Sequence, residues 1–162
     1  MKAEELFKNI ELTKEQEEYI KKYLGIKDKK RKPEIGAKYF YIDSFGDIEQ
    51  NVFGNDSADE YKILTNNMFK IKEDALFRLE QIKVYNELKN FADENNEEID
   101  WENVNTYKYS LTFNFYKKNI DIVSIGGLLE IGQIYFSSYE LAEQAIEKVG
   151  ADRIKKYLFG VE

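Results

Sequence analysis

The chain of 162 residues contains no histidine and no cysteine. Without these residues it cannot build a Ser-His-Asp or Cys-His catalytic arrangement, a histidine- or thiolate-ligated zinc site, or a redox-active Cys-x-x-Cys pair. Carboxylates, lysines and tyrosines remain for chemistry, and no strong motif arranges them. We therefore expect a protein that is not an enzyme, with no catalytic residues, no bound metal and no cofactor.

Proline and long apolar runs are also scarce. Pro33 is the only proline, which argues against Pro-rich linkers. No apolar run approaches the roughly 20 residues that a membrane span needs, and no signal-peptide pattern is present at the start. Together with the lack of cysteine, these absences predict a soluble cytoplasmic protein that does not bind membranes.

The composition is typical of one well-packed domain. Hydrophobic residues make up 43% of the chain and aromatic residues 15%, which is enough for a sizeable core. Acidic residues number 31 and basic residues 24, so the net charge is -7. Because phosphate backbones repel a negative chain unless its positive charge is clustered, we expect a protein partner before a nucleic acid.

The first part of the chain is predicted to be an appendage. Residues 1–25 are expected to be helical, with Thr13 and Gln16 as a capping box. The apolar stripe of this segment consists of Tyr19, Ile20, Tyr23 and Leu24. The stripe is expected to pack on the body of the protein or on a partner. Residues 26–33 form a basic connector that ends at Pro33.

Residues 34–162 are predicted to form a single α+β domain, with antiparallel strands covered by helices. Apolar and aromatic runs between turn residues predict strands at 38–42, 47–53, 61–64, 107–116, 120–125 and 128–136. Apolar residues at three- and four-residue steps predict helices at 72–92, after Ser137 and at 151–159. Ser137 and Glu140 are predicted to form a capping box, and Gly150 to end the helix that it opens.

The two halves of this domain, 34–92 and 104–159, resemble each other. Each has a strand-rich block that ends in a phenylalanine, Phe69 or Phe136, and a helix begins a few residues later. This predicts two β-β-(β)-α units that arose by internal duplication. The alternative is coincidence, because any two amphipathic helices that follow a strand share such spacing.

Four segments, 39–46, 67–75, 135–142 and 150–159, resemble a family of small uncharacterised proteins encoded by phages and prophages of Gram-positive bacteria. The resemblance extends over roughly residues 32–161. The chain departs from the family pattern at Asn66, where the family has glycine, and at Ile71, where it has threonine, an N-cap residue. The resemblance implies an accessory phage protein in the cytoplasm of the bacterial host. Small phage accessory proteins often bind and disable a host factor, including restriction and CRISPR components.

An acidic segment is the strongest electrostatic feature of the sequence. It contains six carboxylates and the only tryptophan: Asp93, Glu94, Glu97, Glu98, Asp100, Trp101 and Glu102. We interpret it as an imitation of a phosphate backbone that enters a basic groove on a nucleic-acid-binding protein, with Trp101 as an apolar anchor. The alternative is a solvated loop in which Trp101 leads into the core beside Ile99.

Two further groups of residues suggest other sites. The basic run could contact phosphates, while Tyr39 and Tyr41 stack on bases. It consists of Lys27, Lys29, Lys30, Arg31 and Lys32. The alternative is a solvated connector or one paired with the acidic surface of the protein itself. Asp43, Asp47 and Glu49 could hold magnesium, although turn and strand-end roles explain Asp43 and Asp47 more simply.

Taken together, these features predict a non-enzymatic, phage-derived protein that binds and inhibits a host protein, one that handles nucleic acid. The first alternative is a nucleic-acid or nucleotide binder that uses the basic run. The second is a structural or assembly subunit.

Overall fold

A computed structural model describes Thr13 and residues 32–161 and has an α+β fold, as the sequence predicts. The predicted helical segment 1–25, apart from Thr13, lies outside the described residues, as does the basic connector up to residue 31. The described chain contains two antiparallel hairpins; a short and then a long helix follow the first, and an 11-residue helix follows the second.

The first hairpin pairs β1, Lys38–Ile42, with β2, Ile48–Val52. Its turn is stabilised by the carboxylate of Asp43, which accepts hydrogen bonds from the backbone N–H groups of Phe45 and Asp47, both at 2.8 Å. Gly46 adopts a φ of 84°, a conformation that glycine reaches without strain. Both predicted strands are confirmed.

The third predicted strand, 61–64, is wrong, because these residues belong to helix α1, Ser57–Leu64. The carboxylate of Asp56 caps this helix by accepting a hydrogen bond from the N–H of Asp59 at 2.9 Å. Asp59 and Glu60 in the first turn also complement the positive end of the helix dipole. The signal for this helix in the sequence was the capping residue Asp56, followed by Asp59 and Glu60 before the apolar residues.

Helix α2, Lys72–Asn95, confirms the longest predicted helix and extends it by three residues beyond 92. Its N-cap residue, Ile71, has no side chain that can accept a hydrogen bond from the first turn. The helix begins at Lys72 all the same, since burial of one face stabilises it more than a cap would. Its buried residues are Ala75, Val84, Leu88, Phe91 and Ala92.

The second hairpin pairs β3, Lys108–Asn114, with β4, Asn119–Ile125, as predicted. On the other side of β3, Tyr109 exchanges two backbone hydrogen bonds with Phe136, at 2.9 and 2.8 Å. Phe69 forms the equivalent isolated bridge with Phe40 of β1. Each hairpin is thus extended by a single bridged residue before its helix.

The last predicted strand, 128–136, is wrong. Apart from the bridge at Phe136, these residues form a loop. Gly127 and Gly132 adopt φ values of 62° and 78°, and such positive angles interrupt an extended strand. The apolar residues between these glycines are therefore not part of a sheet.

Helix α3, Tyr139–Val149, is capped by Ser138 rather than by the predicted Ser137. The Ser138 hydroxyl accepts a hydrogen bond from the N–H of Leu141 at 3.2 Å. The Ser137 hydroxyl instead accepts one from the N–H of Glu97 at 3.0 Å. A contact with a distant part of the chain therefore decided between two adjacent serines.

Gly150, with a φ of 96°, ends α3 as predicted. Helix α4, Ala151–Ile154, follows directly and continues as a π-helical turn, Lys155–Phe159. Within the described residues, no helix is long and apolar enough to cross a membrane.

The main core lies between α2, α3, the C-terminal helical turns and the second hairpin. Its buried residues are Val84, Leu88, Phe91, Ala92, Leu111, Phe136, Ala142, Ala145, Val149 and Ile154. Helix α2 also contacts the first hairpin, while α3 contacts the second. The internal duplication of 34–92 and 104–159 stays a prediction.

Candidate protein-binding site

The acidic segment begins in the last turn of α2 and continues into the loop that leads to β3. All six of its carboxylates are exposed. Lys89 forms an ion pair with Asp93. Among the described residues, no lysine or arginine pairs with the other five, which are Glu94, Glu97, Glu98, Asp100 and Glu102. The segment therefore presents concentrated negative charge to solvent.

Asn96 anchors this segment to the chain before α3. Its amide nitrogen donates a hydrogen bond to the carbonyl of Tyr135 at 2.8 Å, and its amide oxygen accepts one from the N–H of Ser137 at 2.9 Å. Ile99 is buried nearby in the sequence, so the backbone has a second fixed point. The carboxylates thus lie on an ordered loop rather than on a free tail.

Trp101 lies on the surface and not in the core. Its side chain is 53% exposed, and its ring meets the ring of Tyr135 edge-on with centroids 5.8 Å apart. The ammonium of Lys108 lies 5.7 Å from the Trp101 ring centre and 5.6 Å from that of Tyr135. Lys108 itself is only 5% exposed, which makes this cation–π arrangement part of the scaffold.

A second loop, residues 126–135, lies beside the acidic segment. The Tyr135 hydroxyl accepts a hydrogen bond from the N–H of Glu130 at 2.7 Å, which ties the loop to the ring that supports Trp101. A Cβ atom at Gly126 would come within 3.3 Å of the Val104 carbonyl oxygen, so the two loops pack closely there. We call residues 96–107 and 126–135 the paired loops.

The paired loops expose several large apolar side chains in addition to Trp101. They are Val104, Tyr107, Leu128, Leu129 and Ile131. Sequence reasoning missed the last three of these residues because it assigned 128–136 to a strand. The available signal was the placement of Gly126, Gly127 and Gly132 around a short apolar run, which is typical of a loop.

The basic run is largely outside the described residues, which include only Lys32 of its five members. Lys32 forms an ion pair with Glu60 at 3.0 Å and a hydrogen bond with Asn55 at 3.4 Å. It therefore pairs with the acidic surface of the protein itself. Tyr39 is buried, and its hydroxyl donates to Asp59 at 2.6 Å, so its predicted role in stacking on bases is wrong.

The turn of the first hairpin does not assemble a metal site. Asp43 caps the turn with its carboxylate, as described above. In the part of the chain that the structure describes, no group of three or more acidic residues is arranged to hold a metal ion.

The paired loops are suited to macromolecular recognition, because they combine a fixed aromatic ring, neighbouring apolar side chains and unpaired carboxylates. No protein-family model matches this chain, and neither a curated protein nor a solved structure matches it. A functional assignment therefore depends on the chemistry of this surface.

Proposed function

We propose that the protein is a non-enzymatic binding protein whose paired loops cover a basic surface on a host protein. In this proposal the covered surface normally holds nucleic acid, and the protein inhibits its partner by occupying it. The observation that carries the proposal is the group of five exposed carboxylates, none of which forms an ion pair with a described lysine or arginine, beside the half-exposed Trp101.

The charges favour a basic partner. Since no described lysine or arginine neutralises Glu97, Glu98 or Asp100, a partner's basic side chains can pair with them without first breaking an ion pair. Complementary charge accelerates association and rejects acidic partners. A surface that binds nucleic acid has the required positive charge.

Trp101 supplies the apolar contact. Tryptophan is among the residues that contribute most at interfaces, because it buries a large area and keeps an N–H donor. The edge-on contact with Tyr135 and the ammonium of Lys108 hold the ring in place before a partner arrives. A ring that is already ordered loses less entropy on binding.

The choice of a host defence protein as the target rests on the resemblance to phage-encoded proteins. The surface chemistry itself supports the broader proposal of a basic protein partner. A small phage protein that disables a defence factor needs only to block a site, and it needs no catalytic group for this purpose.

The test is an affinity pull-down with the full chain from a Gram-positive host lysate treated with nuclease. We expect a host protein to be retained. Replacement of Glu97, Glu98 and Asp100 by Gln, Gln and Asn should weaken its binding about threefold to 100-fold, since each lost pair contributes about 0.2–1 kcal/mol. Trp101→Ala should weaken it about 30-fold, as for an interface hot spot.

A matched control removes the same charge elsewhere. Glu34, Asp47 and Glu49 are exposed in and before the first hairpin, and their replacement by Gln, Asn and Gln should leave affinity unchanged. Equal loss of binding in both triple variants would contradict a specific role for the paired loops. A host protein that is retained from untreated lysate but lost after nuclease treatment would favour the nucleic-acid alternative instead.

A further inference from the structure

Along the outer edge of β4, backbone groups have no partner strand among the described residues. Tyr109 of β3 directs its N–H and C=O toward Phe136 and away from β4. Successive residues of a strand direct these groups to opposite sides. The residues of β3 that bond to β4 are therefore the two neighbours of Tyr109 and, from there, every second residue along the strand. Their partners in the register are Asn119, Asp121, Val123 and Ile125.

The alternate residues Ile120, Ile122 and Ser124 therefore direct their N–H and C=O groups to the opposite edge. Among the described residues, no further strand pairs with β4 there, and no other backbone group bonds to these three. Their N–H and C=O groups are available to an incoming strand.

A groove of about 600 Å³ runs along this edge. One wall consists of β4 residues 119–123. Since successive side chains point to opposite faces of a sheet, a groove lined by consecutive residues must include the strand edge. The other wall is one face of α3, formed by Tyr139, Glu143, Ile146 and Glu147.

The edge of β2 differs from that of β4. Phe40 bonds to Phe69, so the same alternation leaves Ile48, Gln50 and Val52 on the outer edge. There the N–H of Val52 is occupied by the side-chain oxygen of Asn51 at 2.8 Å. The edge of β4 is thus the better site for an added strand, because no described backbone group bonds to its three outward-facing residues.

Among the described residues that line the groove, Asp121, Glu143 and Glu147 are acidic and Lys117 is basic. Asp121 accepts a hydrogen bond from Asn114 at 2.6 Å and pairs with Lys117 at 3.4 Å. Glu143 and Glu147, one helical turn apart on α3, form no ion pair with any described residue. A strand seated along β4 would direct alternate side chains toward them, and basic side chains there would be stabilised.

We propose that the groove between β4 and α3 binds an extended peptide segment of a partner protein, with lysine or arginine at alternate positions. The segment adds to the sheet as a strand along β4, and its backbone bonds to Ile120, Ile122 and Ser124. Its basic side chains pair with Glu143 and Glu147. This site is separate from the paired loops and goes beyond the function proposed for them.

The first test uses the full chain and a fluorescein-labelled peptide, acetyl-Lys-Val-Lys-Val-Lys-Val-Lys-amide, in fluorescence anisotropy. We expect saturable binding, and no binding when glutamate replaces each lysine. N-methylation of one alternate set of peptide amides should abolish binding, while methylation of the other set should leave it, because only one set faces β4. Equal effects of the two sets, or no binding of the parent peptide, would overturn the proposal.

Protein variants provide the second test. Glu143→Gln with Glu147→Gln should weaken peptide binding about fivefold, whereas Glu34→Gln with Glu49→Gln should not change it. Ser124→Pro removes an outward N–H without breaking the ladder to β3 and should also weaken binding. Trp101→Ala should bind the peptide as the parent chain does, and loss of binding in this variant would overturn the assignment to the β4 groove.

Discussion

Replacing Asp59 with alanine is expected to lower the free energy of unfolding by about 2–6 kcal/mol. Asp59 is 1% exposed, and each of its carboxylate oxygens accepts a hydrogen bond: one from the Tyr39 hydroxyl at 2.6 Å, the other from the N–H of Gly54 at 2.7 Å. Alanine would leave the buried Tyr39 hydroxyl and the part-buried N–H of Gly54 without this acceptor. Each unsatisfied donor costs about 1–3 kcal/mol, which gives the expected range.

The assay is urea unfolding at pH 7 followed by circular dichroism, with Glu60→Gln as the matched control. Glu60 is the next residue of α1, but it is exposed and pairs only at the surface with Lys32. Its replacement should cost less than about 1 kcal/mol. A double-mutant cycle with Tyr39→Phe should show a cost below the sum of the single variants, since the two changes remove one shared hydrogen bond. An Asp59→Ala variant as stable as Glu60→Gln would refute the reasoning.

The same pair determines a pH dependence. The hydrogen bond from Tyr39 holds the pKa of Asp59 below its usual value, although burial acts in the opposite direction. The stabilisation is therefore present above pH of about 4 and is lost as the pH falls through the lowered pKa. Burial, and then the bond to Asp59, raises the pKa of Tyr39 to about 12. Stability should thus also fall as the pH rises from about 10 toward that value.

Two further variants test the second half of the fold. The hydroxyl of Ser110 is the one buried side-chain oxygen or nitrogen in the described chain without a hydrogen-bond partner. Ser110→Ala should therefore raise the free energy of unfolding by about 1 kcal/mol, measured by thermal unfolding. A lower free energy of unfolding would contradict this. Asn96→Ala removes two hydrogen bonds that hold the acidic segment. It should lower the free energy of unfolding by about 1–3 kcal/mol and change the fluorescence of Trp101. Asn105→Ala, at an exposed position of the same loop, is its control, and equal stability of the two variants would contradict the anchoring role.

Much of the secondary structure could be predicted because its signals are local. Apolar and aromatic runs bounded by turn residues identified both hairpins, and the three- and four-residue spacing of apolar residues identified α2. The short apolar runs at 61–64 and 128–136 were ambiguous, since such runs fit a strand, a helix turn or a loop equally well. Residues 61–64 belong to a helix that Asp56 caps, and residues 128–136 form a loop in which glycines adopt positive φ.

The candidate site could be predicted only in part. The acidic segment could be identified, because a cluster of acidic residues can be read directly from the sequence. The glycines around 128–131 were a signal for the second of the paired loops, but its position beside the acidic segment was not predictable. That position depends on Tyr135, which contacts both Trp101 and the N–H of Glu130. The choice of Ser138 over Ser137 as a cap likewise depended on a distant residue, Glu97.

The separation between anchoring and charged residues in the paired loops has a consequence for how this surface can change over evolutionary time. Asn96, Ile99 and Tyr135 hold the loops, whereas the side chains of Glu97 and Glu98 make no hydrogen bond or ion pair with the described residues. Substitution at Glu97 and Glu98 should therefore leave folding almost unaffected, whereas Asp100 also holds the loop, because its carboxylate accepts hydrogen bonds from the N–H groups of Glu102 and Asn103. Such a surface can acquire new charge patterns, and with them new partners, while one scaffold is retained.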